Sequence, residues 1–597
     1  MGVLRFFRYL SIRYQNECLI KLNGTYENGV TSSDAEKLKI DHLHYDMNAI
    51  FHPICQEVYQ YGAGKKQTTP SLLFPKKNEN KPVAVNEKII FAKICQRIEQ
   101  IRAIIRPSKS MFLAVDGVAG ISKMNQQRKR RFKSAVENIG SNMNFDPNSL
   151  SAGTVYMEKL CKYIDGFVQR QMVQNTDWMN KLVTISNHRV MGEGEHKLMD
   201  NIRNNIKDTH VIVSPDADLI FLTSAIYDLK CYIFRENIFD DIDATFFLVD
   251  ICKFRECILK EIGMDHCNAD EKDSAIKDFV VYCFVLGNDF LPQISSLQIN
   301  NRGIEILFEL YPKLIKEYGH LIDKTKLCFR KEVLQAMFKE LASIEYNMIL
   351  SNYKSNQTKF PDKILAKHIS YPKTEEGGRK MFINIDEYRR EYYMTKFNSI
   401  VSDTKKCNIL HEETSTSSEN QCAVYDKSVE TIVHEYLRGM TFVMKYYMDK
   451  IPSWTWQYPF HSAPFCEEIA KYAETFNPDI IFEPSVPLTP LEQLLAILPA
   501  NSSSLLPEPM RYLSSSAESS IIDMFPIDFD IDMDGKKNAY EGIPLIPCVR
   551  VDALRKAFKS VESKLNEYDI KRNKQGLIYV YYQNEEQDIV QELRLPI

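Results

Sequence analysis

Short strand-like runs that each lead to an aspartate constrain the fold of this chain most. Residues 43–45, 111–115 and 211–213 are such runs, and they lead into Asp46, Asp116 and the sequence Ser-Pro-Asp-Ala-Asp at 214–218. Between the first two runs, the segment 88–106 carries isoleucine at 90, 94, 98, 101 and 105, which is the period of an amphipathic helix. Strands that alternate with helices predict an α/β fold with a mostly parallel sheet flanked by helices.

Seven carboxylates are candidates for one metal site. The carboxyl ends of parallel strands share one edge of a sheet, where open α/β folds build their sites. Carboxylates held close together repel one another and need a cation, and hard divalent ions such as Mg²⁺ prefer oxygen ligands. Two such ions, roughly 3.5–4 Å apart, stabilise the attacking and leaving oxygens of a phosphoryl transfer. The candidate catalytic and metal-binding residues are Asp46, Asp116, Glu193, Glu195, Asp216, Asp218 and Asp289. The alternative is that the D-x-D and E-x-E pairs are solvated surface groups.

The segment 123–133 is a candidate anion-binding helix. It contains six basic residues and no acid, and it begins a few residues after Asp116. On a helix one face would carry Lys123, Gln127, Arg130 and Arg131. A point charge, an amide and two guanidinium groups suit a terminal phosphate. The alternatives are a solvated basic face and a nuclear-import peptide.

Aromatic residues are candidates for stacking on unpaired bases, which is worth about 1–3 kcal/mol per base. Trp454 and Trp456 lie in an aromatic and proline-rich segment at 452–459, and only one of them is expected to face a substrate if the segment is extended. His52 follows Asp46 by six residues and is a similar candidate. The alternative for all three is a place in a core or interface.

Composition bounds the class of protein without identifying it. With 597 residues, 44% hydrophobic and 26% charged, the chain is expected to form at least two packed units. Its 14 cysteines contain no C-x-x-C pair, which indicates reduced cysteines and an intracellular protein. No apolar run approaches a membrane span. The net charge of −4 neither indicates nor excludes nucleic-acid binding, because an acidic site can mask a basic groove.

The motifs together resemble those of the Xrn 5′→3′ exoribonucleases. The resemblance covers roughly 1–320 and 385–583. Ala49, Gly120 and Leu4 depart from the family's usual Gly, Pro and Pro, which changes local backbone and removes no charged group. The residues that carry the resemblance are 1–10, 46–53, 115–119, 123–132, 192–197, 215–222, 287–292, 453–459, 490–499 and 534–542.

The resemblance implies roles for the candidate residues. The seven acids would bind Mg²⁺, with two ions expected and Mn²⁺ as the other possible ion, and would catalyse hydrolysis. The basic face would form a pocket for a 5′-monophosphate that excludes capped and triphosphorylated ends. His52 and a tryptophan of 453–458 would sandwich the leading bases. The expected activity is processive degradation of single-stranded RNA to nucleoside 5′-monophosphates, in RNA decay or processing. We expect a monomer with no membrane partner, in the cytoplasm more than in the nucleus.

The resemblance also implies an architecture. We expect a PIN/flap-nuclease-like catalytic core with a second mixed, aromatic-rich domain packed against it, in a near-minimal form without long C-terminal extensions or a zinc knuckle. The expected domains are a nuclease domain at 1–325, a helical connecting region at 326–402, a flexible linker or insertion at 403–428, a second Xrn-type region at 429–583 that contributes the tryptophans, and a tail at 584–597.

Two other functions fit parts of the pattern. A flap-type, structure-specific DNA nuclease shares the carboxylate architecture but carries a helix–hairpin–helix segment after its last metal aspartate, and only Arg302-Gly-Ile follows Asp289 before ordinary helix. A catalytically dead RNA-binding scaffold would not need all seven acids.

Overall fold

The fold is taken from a computed structural model of the chain. It describes residues 5–26, 29–30, 38–61, 87–137, 145–237, 244–355, 360–373, 379–397, 418–584, 586 and 588–595. The chain forms two compact units, each assembled from segments distant in sequence. The sheet unit comprises Arg13–Arg255, Ser485–Ile527 and Val549–Ile597, and the helical unit comprises Met1–Ile12, Glu256–Pro484 and Asp528–Cys548.

A nine-stranded sheet is the centre of the sheet unit. Its five central strands are parallel, and antiparallel strands extend it on both sides. The predicted α/β class with a parallel sheet is therefore confirmed. In order across the sheet the strands are Leu19–Leu22, Phe246–Asp250, Lys230–Glu236, Thr209–Val213, His42–Asp46, Ser110–Ala114, Leu182–Ser186, Ile578–Gln583 and Ile589–Arg594.

The order of the strands places a switch point at the middle of the sheet. From His42–Asp46 the chain adds Ser110–Ala114 on one side, and later Thr209–Val213 on the other. Where the direction of strand addition reverses, the loops after neighbouring strands separate and leave a crevice at their carboxyl ends. All residues of the strands Ser110–Ala114 and Thr209–Val213 are buried, as expected for parallel strands covered on both faces.

Helices cover the sheet, and the one predicted from isoleucine spacing is Glu87–Ile105. All five of its periodic isoleucines are buried, which confirms the amphipathic helix predicted from their spacing. The predicted basic helix is Ile121–Glu137. The other helices of this unit are Gln15–Cys18, Asn48–Tyr59, Val155–Gln174, Thr176–Met179, Gly194–Arg203, Asp218–Ser224, Pro490–Ile497, Glu508–Ser515, Val551–Glu562 and Glu567–Arg572, with 3₁₀ turns at Pro147–Ser149, Ala500–Leu505 and Ile522–Met524.

The helical unit is built from long helices and short strand pairs. Its helices are Ala269–Tyr282, Gly303–Tyr318, Lys331–Ser355, Lys363–Lys367, Ile385–Lys396, Ser418–Met448 and Cys466–Tyr472, with 3₁₀ turns at Cys283–Leu286, Ile299–Asn301 and Ala539–Glu541. Its strand pairs are Ile322–Asp323 with Cys328–Phe329, Ile369–Ser370 with Phe382–Ile383, and Ile531–Asp532 with Ile543–Pro544. In the sheet unit, Gly24–Thr25 pairs with Gly29–Val30. The helices Phe6–Arg13 and Ile251–Glu261 include the boundaries between the segments of the two units.

The sequence predicted domains that are each one continuous segment, whereas each compact unit of the structure combines several separate segments. Residues 485–527 and 549–597 belong to the sheet unit, because the strand Ile578–Gln583 pairs with Leu182–Ser186. The predicted linker at 403–428 lies outside the described residues up to 417, and residues 418–428 begin the helix Ser418–Met448. Among the described residues, the helices are too short or too polar to cross a membrane.

Candidate active site

The carboxyl ends of three neighbouring strands bring two aspartates together. Asp46 is the last residue of its strand and pairs in register with Ala114, which in turn pairs with Ser186. Asp116 follows two residues later, and the amides of Met47 and Val115 donate across the strand ends to the carbonyls of Ala114 and Ser186 at 2.9 Å. The sheet register therefore fixes the backbone on which both carboxylates stand.

Gly194 approaches these two aspartates more closely than a larger residue could. Its amide, at the start of the helix Gly194–Arg203, donates to Oδ1 of Asp116 at 2.7 Å. A Cβ atom at this position would lie 3.2 Å from Oδ1 of Asp116 and 3.4 Å from Oδ1 of Asp46. The glycine between Glu193 and Glu195 thus lets the helix N-terminus meet the aspartates of two other strands, where it favours negative charge.

A chain of hydrogen bonds connects Asp46 to the pair that follows the strand Thr209–Val213. Ser214 Oγ donates to Oδ2 of Asp46 at 2.9 Å and accepts from the amide of Asp216 at 3.1 Å. The amide of Asp218 donates to Oδ1 of Asp216 at 3.1 Å. Burial, and then repulsion from Asp116 and Asp216, raise the pKa of Asp46 to about 7.

The glutamates belong to the same cluster. Glu193 and Glu195 are both buried. Burial raises the pKa of Glu195 well above its usual range, Lys123 opposes the shift, and repulsion from Glu193, Asp216 and Asp218 adds to it. Six of the seven predicted acids are thus brought together at one edge of the sheet.

Lys123 lies among the acids and not only on the basic face predicted for it. Its Nζ is 2.5 Å from Oε2 of Glu193 and 3.5 Å from Oε1 of Glu195. Lys123 is buried, so its ammonium is the counter-charge of two buried carboxylates. This contact had no signal in the sequence, because the predicted helix face specified only which residues share a side.

The donor set suits hard divalent cations. Carboxylates whose pKa values are raised by burial and then by mutual repulsion gain from a cation that neutralises them, and oxygen ligands favour Mg²⁺ or Mn²⁺. As the side chains stand, no three His, Cys, Asp or Glu groups in the described part of the chain are arranged to enclose an ion. The ammonium of Lys123 already lies beside Glu193 as a counter-charge, at 2.5 Å from its Oε2.

Two more residues of the basic face, Arg130 and Arg131, lie near His52, and Arg131 also lies near Asp116. Burial, and then the neighbouring charge of Arg130, lower the pKa of Arg131 to about 9. Burial and Arg130 also lower the pKa of His52 to about 4, while Asp116 opposes the shift. Arg131 donates to Ser151 Oγ at 2.7 Å, Arg130 is exposed and Gln127 is half-buried. The two arginines and a neutral histidine therefore stand beside the acids.

The two tryptophans differ in environment. Trp456 is buried in the helical unit, where its ring stacks on Phe442 with centroids 4.4 Å apart. Trp454 is half-buried. Asp289 also belongs to the helical unit and is buried in the turn after Cys283–Leu286. The predicted roles of Trp454 in stacking and of Asp289 in metal binding stay predictions.

Several residues that contact the clustered acids or the loop beside them were not predicted from the sequence. Asn48 donates its side-chain amide to Oδ2 of Asp116. Lys197 is buried near Asp116 and donates to the carbonyls of Val115 and Asn187 at 2.7 and 3.1 Å. Burial lowers the pKa of Lys197 to about 7, against the attraction of Asp116. Asn48 and Lys197 each lie two residues after a predicted acid, in the segments 46–53 and 192–197 that carry the family resemblance, and these are the sequence signals that could have indicated them.

Arg128 is a structural member of the basic run. It is buried, donates to the carbonyl of Ala496 at 2.8 Å, and its guanidinium lies 4.3 Å from the ring centroid of Phe132. Gln493 of the same helix, Pro490–Ile497, accepts from the amide of Ala119 at 2.7 Å and donates to the carbonyl of Gly117 at 3.2 Å. These bonds fix the basic helix and the loop after Asp116 to a segment 368 to 376 residues later in the chain.

Comparison with protein families decides the class of this chain. A model described as the XRN 5′-3′ exonuclease N-terminus matches residues 1–237, and one described as the Xrn1 helical domain matches 269–430 and 411–595. The chain belongs to the Xrn family of 5′-3′ exonucleases. As a member of that family it is an enzyme of the exoribonuclease class, and the family is metal-dependent. The predicted family is therefore confirmed.

Individual relatives agree with the family assignment. The chain is 28% identical to the 5′-3′ exoribonuclease 2 homolog of Drosophila melanogaster, over 98% of this chain and 74% of the relative. It is 27% identical to 5′-3′ exoribonuclease 2 of Gallus gallus, over 96% of this chain and 72% of the relative. It is also 27% identical to 5′-3′ exoribonuclease 1 of Homo sapiens, over 96% of this chain but 35% of that longer protein.

Proposed function

We propose that this Xrn-family enzyme hydrolyses 5′-monophosphorylated single-stranded RNA from its 5′ end, processively and with divalent metal ions, to nucleoside 5′-monophosphates. The observation that carries the proposal is the cluster of six acids at one sheet edge with the arginines of the basic helix beside it. The acids suit metal-assisted phosphodiester hydrolysis, and the adjacent cations suit a terminal phosphate. We also propose a monomer that acts in cytoplasmic RNA decay or processing.

The clustered acids would bind the metal ions, and neighbouring residues hold the aspartates in place. Asp46, Asp116, Glu193, Glu195, Asp216 and Asp218 would hold Mg²⁺ or Mn²⁺. When bound, such ions lower the pKa of a water nucleophile and stabilise the leaving oxygen. Ser214, Asn48 and the Gly194 amide hold the aspartates in fixed orientations, which limits the reorganisation that the reaction needs.

The basic face would select the 5′ end. Arg130 and Arg131, with Gln127, offer guanidinium and amide donors to a monophosphate. A triphosphate or cap is larger than a monophosphate and carries groups beyond the single phosphate that these donors would bind. The preference for a monophosphate therefore follows from charge and size together.

Neutral aromatic groups would hold the leading bases. His52 is uncharged near neutral pH because its pKa is about 4, so its ring can stack without the cost of burying an imidazolium. Trp454 is the candidate for the second stacking ring, because Trp456 is buried in the core of the helical unit, where it packs on Phe442. Stacking is independent of base identity, which suits an enzyme that moves along a strand.

The test compares decay of matched RNAs that differ only at the 5′ end. With 5′-monophosphate RNA we expect rapid release of mononucleotides, and with 5′-triphosphate RNA release at least about tenfold slower. Arg130→Ala should reduce this preference, whereas Lys559→Ala, which removes an exposed lysine of the same unit, should keep it. Equal rates on both RNAs in the unmodified protein would show that the basic face does not select the 5′ end.

A further inference from the structure

Two helices of the sheet unit enclose a groove that the proposed hydrolysis does not use. The helices Glu87–Ile105 and Val155–Gln174 pack side by side, with Phe91 against Tyr156 and Tyr163 at centroid distances of 5.4 and 5.6 Å. The groove between them has a volume of about 620 Å³ and is open to solvent. None of the acids, the basic face or the stacking candidates lines it.

The rim of the groove is positively charged. Its cations are Lys88, Lys159, Lys162 and Arg170, and Glu87 is the one acid among the described residues that line it. Glu87 pairs with Lys159 at 2.9 Å, with both side chains about half exposed. One carboxylate among four cations leaves the groove with a net positive charge, which favours an anionic ligand.

The floor of the groove is aromatic. Phe91 is buried, and Tyr163 is half-buried with its ring inclined at 57° to that of Phe91. Gly166, one turn along the helix from Tyr163, adds no side chain, and apart from the backbone of its own helix a Cβ there would meet, among the described residues, only Nη1 of Arg170 within 4 Å. The floor therefore has an aromatic surface beside an open position one helical turn away.

We propose that this groove binds a nucleotide, with the base against Tyr163, whose ring packs beside Phe91, and the phosphate between Lys162 and Arg170. The volume falls in the range of small-ligand sites. An aromatic floor under a cationic rim matches the two parts of a nucleotide, a flat base and a charged phosphate. The nucleotide is either free, as a nucleoside monophosphate, or part of an RNA strand. The proposal goes beyond hydrolysis, since it involves none of the catalytic residues.

Photo-crosslinking locates the bound nucleotide directly. The full chain is labelled with 8-azido-AMP in EDTA, and the labelled peptide is identified by mass spectrometry. We expect label on the peptide that contains Tyr163, reduced about tenfold in Lys162→Glu/Arg170→Glu. The charge-matched control Lys556→Glu/Lys559→Glu, on two exposed lysines of the helix Val551–Glu562, should label like the unmodified protein. Tyr163→Ala should lose label, and Tyr163→Phe should keep it because the ring remains.

Competition distinguishes the two sources of the nucleotide. Protection by AMP but not by a ten-residue RNA with a 5′-hydroxyl end assigns a free nucleotide, and stronger protection by the RNA assigns a strand. Any of three results would overturn the proposal. The peptide that contains Tyr163 could carry no label, Lys162→Glu/Arg170→Glu could be labelled as strongly as Lys556→Glu/Lys559→Glu, or neither AMP nor the RNA could protect the site. Hydrolysis of 5′-monophosphorylated RNA is measured in the same variants. If Lys162→Glu/Arg170→Glu loses the label but still hydrolyses RNA, the groove is a site separate from the catalytic one. If the unmodified protein does not hydrolyse RNA, that result counts against the proposed function and not against nucleotide binding in the groove.

Discussion

The ammonium of Lys123 lies 2.5 Å from Oε2 of Glu193 and 3.5 Å from Oε1 of Glu195, in the interior of the sheet unit. A lysine in this place serves two purposes, because it neutralises carboxylates that would otherwise repel each other and it stands on the helix that faces the proposed phosphate site. Its charge competes with any cation that binds the same glutamates.

Lys123→Met should destabilise the metal-free protein and increase its response to metal. Removing one partner of a buried ion pair costs about 3–5 kcal/mol, because the remaining carboxylates lose their counter-charge. A divalent ion can replace that charge, so the rise in Tm on adding Mg²⁺ should be larger in the variant than in the unmodified protein. Lys556→Met, at an exposed position, is the matched control for Tm. Equal Mg²⁺-dependent shifts would show that Lys123 and the ion do not compete.

Gly194→Ala should impair hydrolysis while leaving the fold intact. The added methyl would lie 3.2 to 3.4 Å from carboxylate oxygens of Asp116 and Asp46, so these groups must move by a few tenths of an ångström. Small displacements of catalytic groups cost about 10- to 100-fold in rate. The rate of mononucleotide release and the Tm are measured together. A variant with the unmodified protein's rate would exclude the close approach of Gly194 to the acids.

Substitutions of the two tryptophans should have different effects, with Trp456 contributing to stability and Trp454 to RNA binding. Trp456→Ala removes a ring stacked on Phe442 and should lower stability by about 3–5 kcal/mol. Trp454→Ala should leave the Tm within about 2 °C of the unmodified protein and weaken binding of single-stranded RNA about tenfold, as expected for one lost stacking contact. Fluorescence anisotropy with RNA in EDTA measures the binding. Unchanged RNA affinity in Trp454→Ala would remove it from the proposed substrate path.

Acid should destabilise the sheet unit through buried histidines of its central strands. His210 donates from Nε2 to the carbonyl of Asn205 at 2.9 Å, which leaves its Nδ1 to accept from Nε2 of His44 at 3.0 Å. Burial lowers the pKa of His210 to about 4, so the neutral ring is favoured in the fold, and the unfolded chain binds more protons below about pH 6.5. Its contribution is complete above that pH and decreases as pH falls toward 4, by up to about 3 kcal/mol.

Urea unfolding at pH 7.5, 6.0 and 5.0 measures this effect. His210→Gln should show a smaller decrease in its unfolding midpoint between pH 7.5 and 5.0 than the unmodified protein shows. His266→Gln, where the histidine side chain is 94% exposed, should keep the unmodified dependence on pH. An identical decrease in His210→Gln and the control would assign the acid sensitivity to other groups.

The sequence was sufficient for the parts of the fold that local patterns determine. Isoleucine spacing identified Glu87–Ile105, and the runs that end near Asp46, Asp116 and Asp216 identified three parallel strands. Because parallel strands share an edge for their carboxyl ends, the meeting of those acids could be deduced as well. The family resemblance added the expectation of a nuclease.

Long-range contacts could not be deduced in the same way. Arg128 belonged to a run that indicated phosphate binding, yet its bond to Ala496 O makes it structural. Such a bond depends on how segments far apart in sequence pack, and helical period carries no information about it. The return of residues 549–597 to extend the sheet through Ile578–Gln583 was unexpected for the same reason.

The central claim is that the acids at the sheet edge form a metal-dependent hydrolytic site for RNA 5′ ends. Its most direct test follows 5′-labelled, 5′-monophosphorylated RNA with the unmodified protein and with Asp216→Ala/Asp218→Ala. The account predicts labelled mononucleotide as the first product, only with a divalent ion present, and no release by the variant although it still binds the RNA. Equal release by the variant, or labelled oligonucleotides as the first products, would contradict the claim.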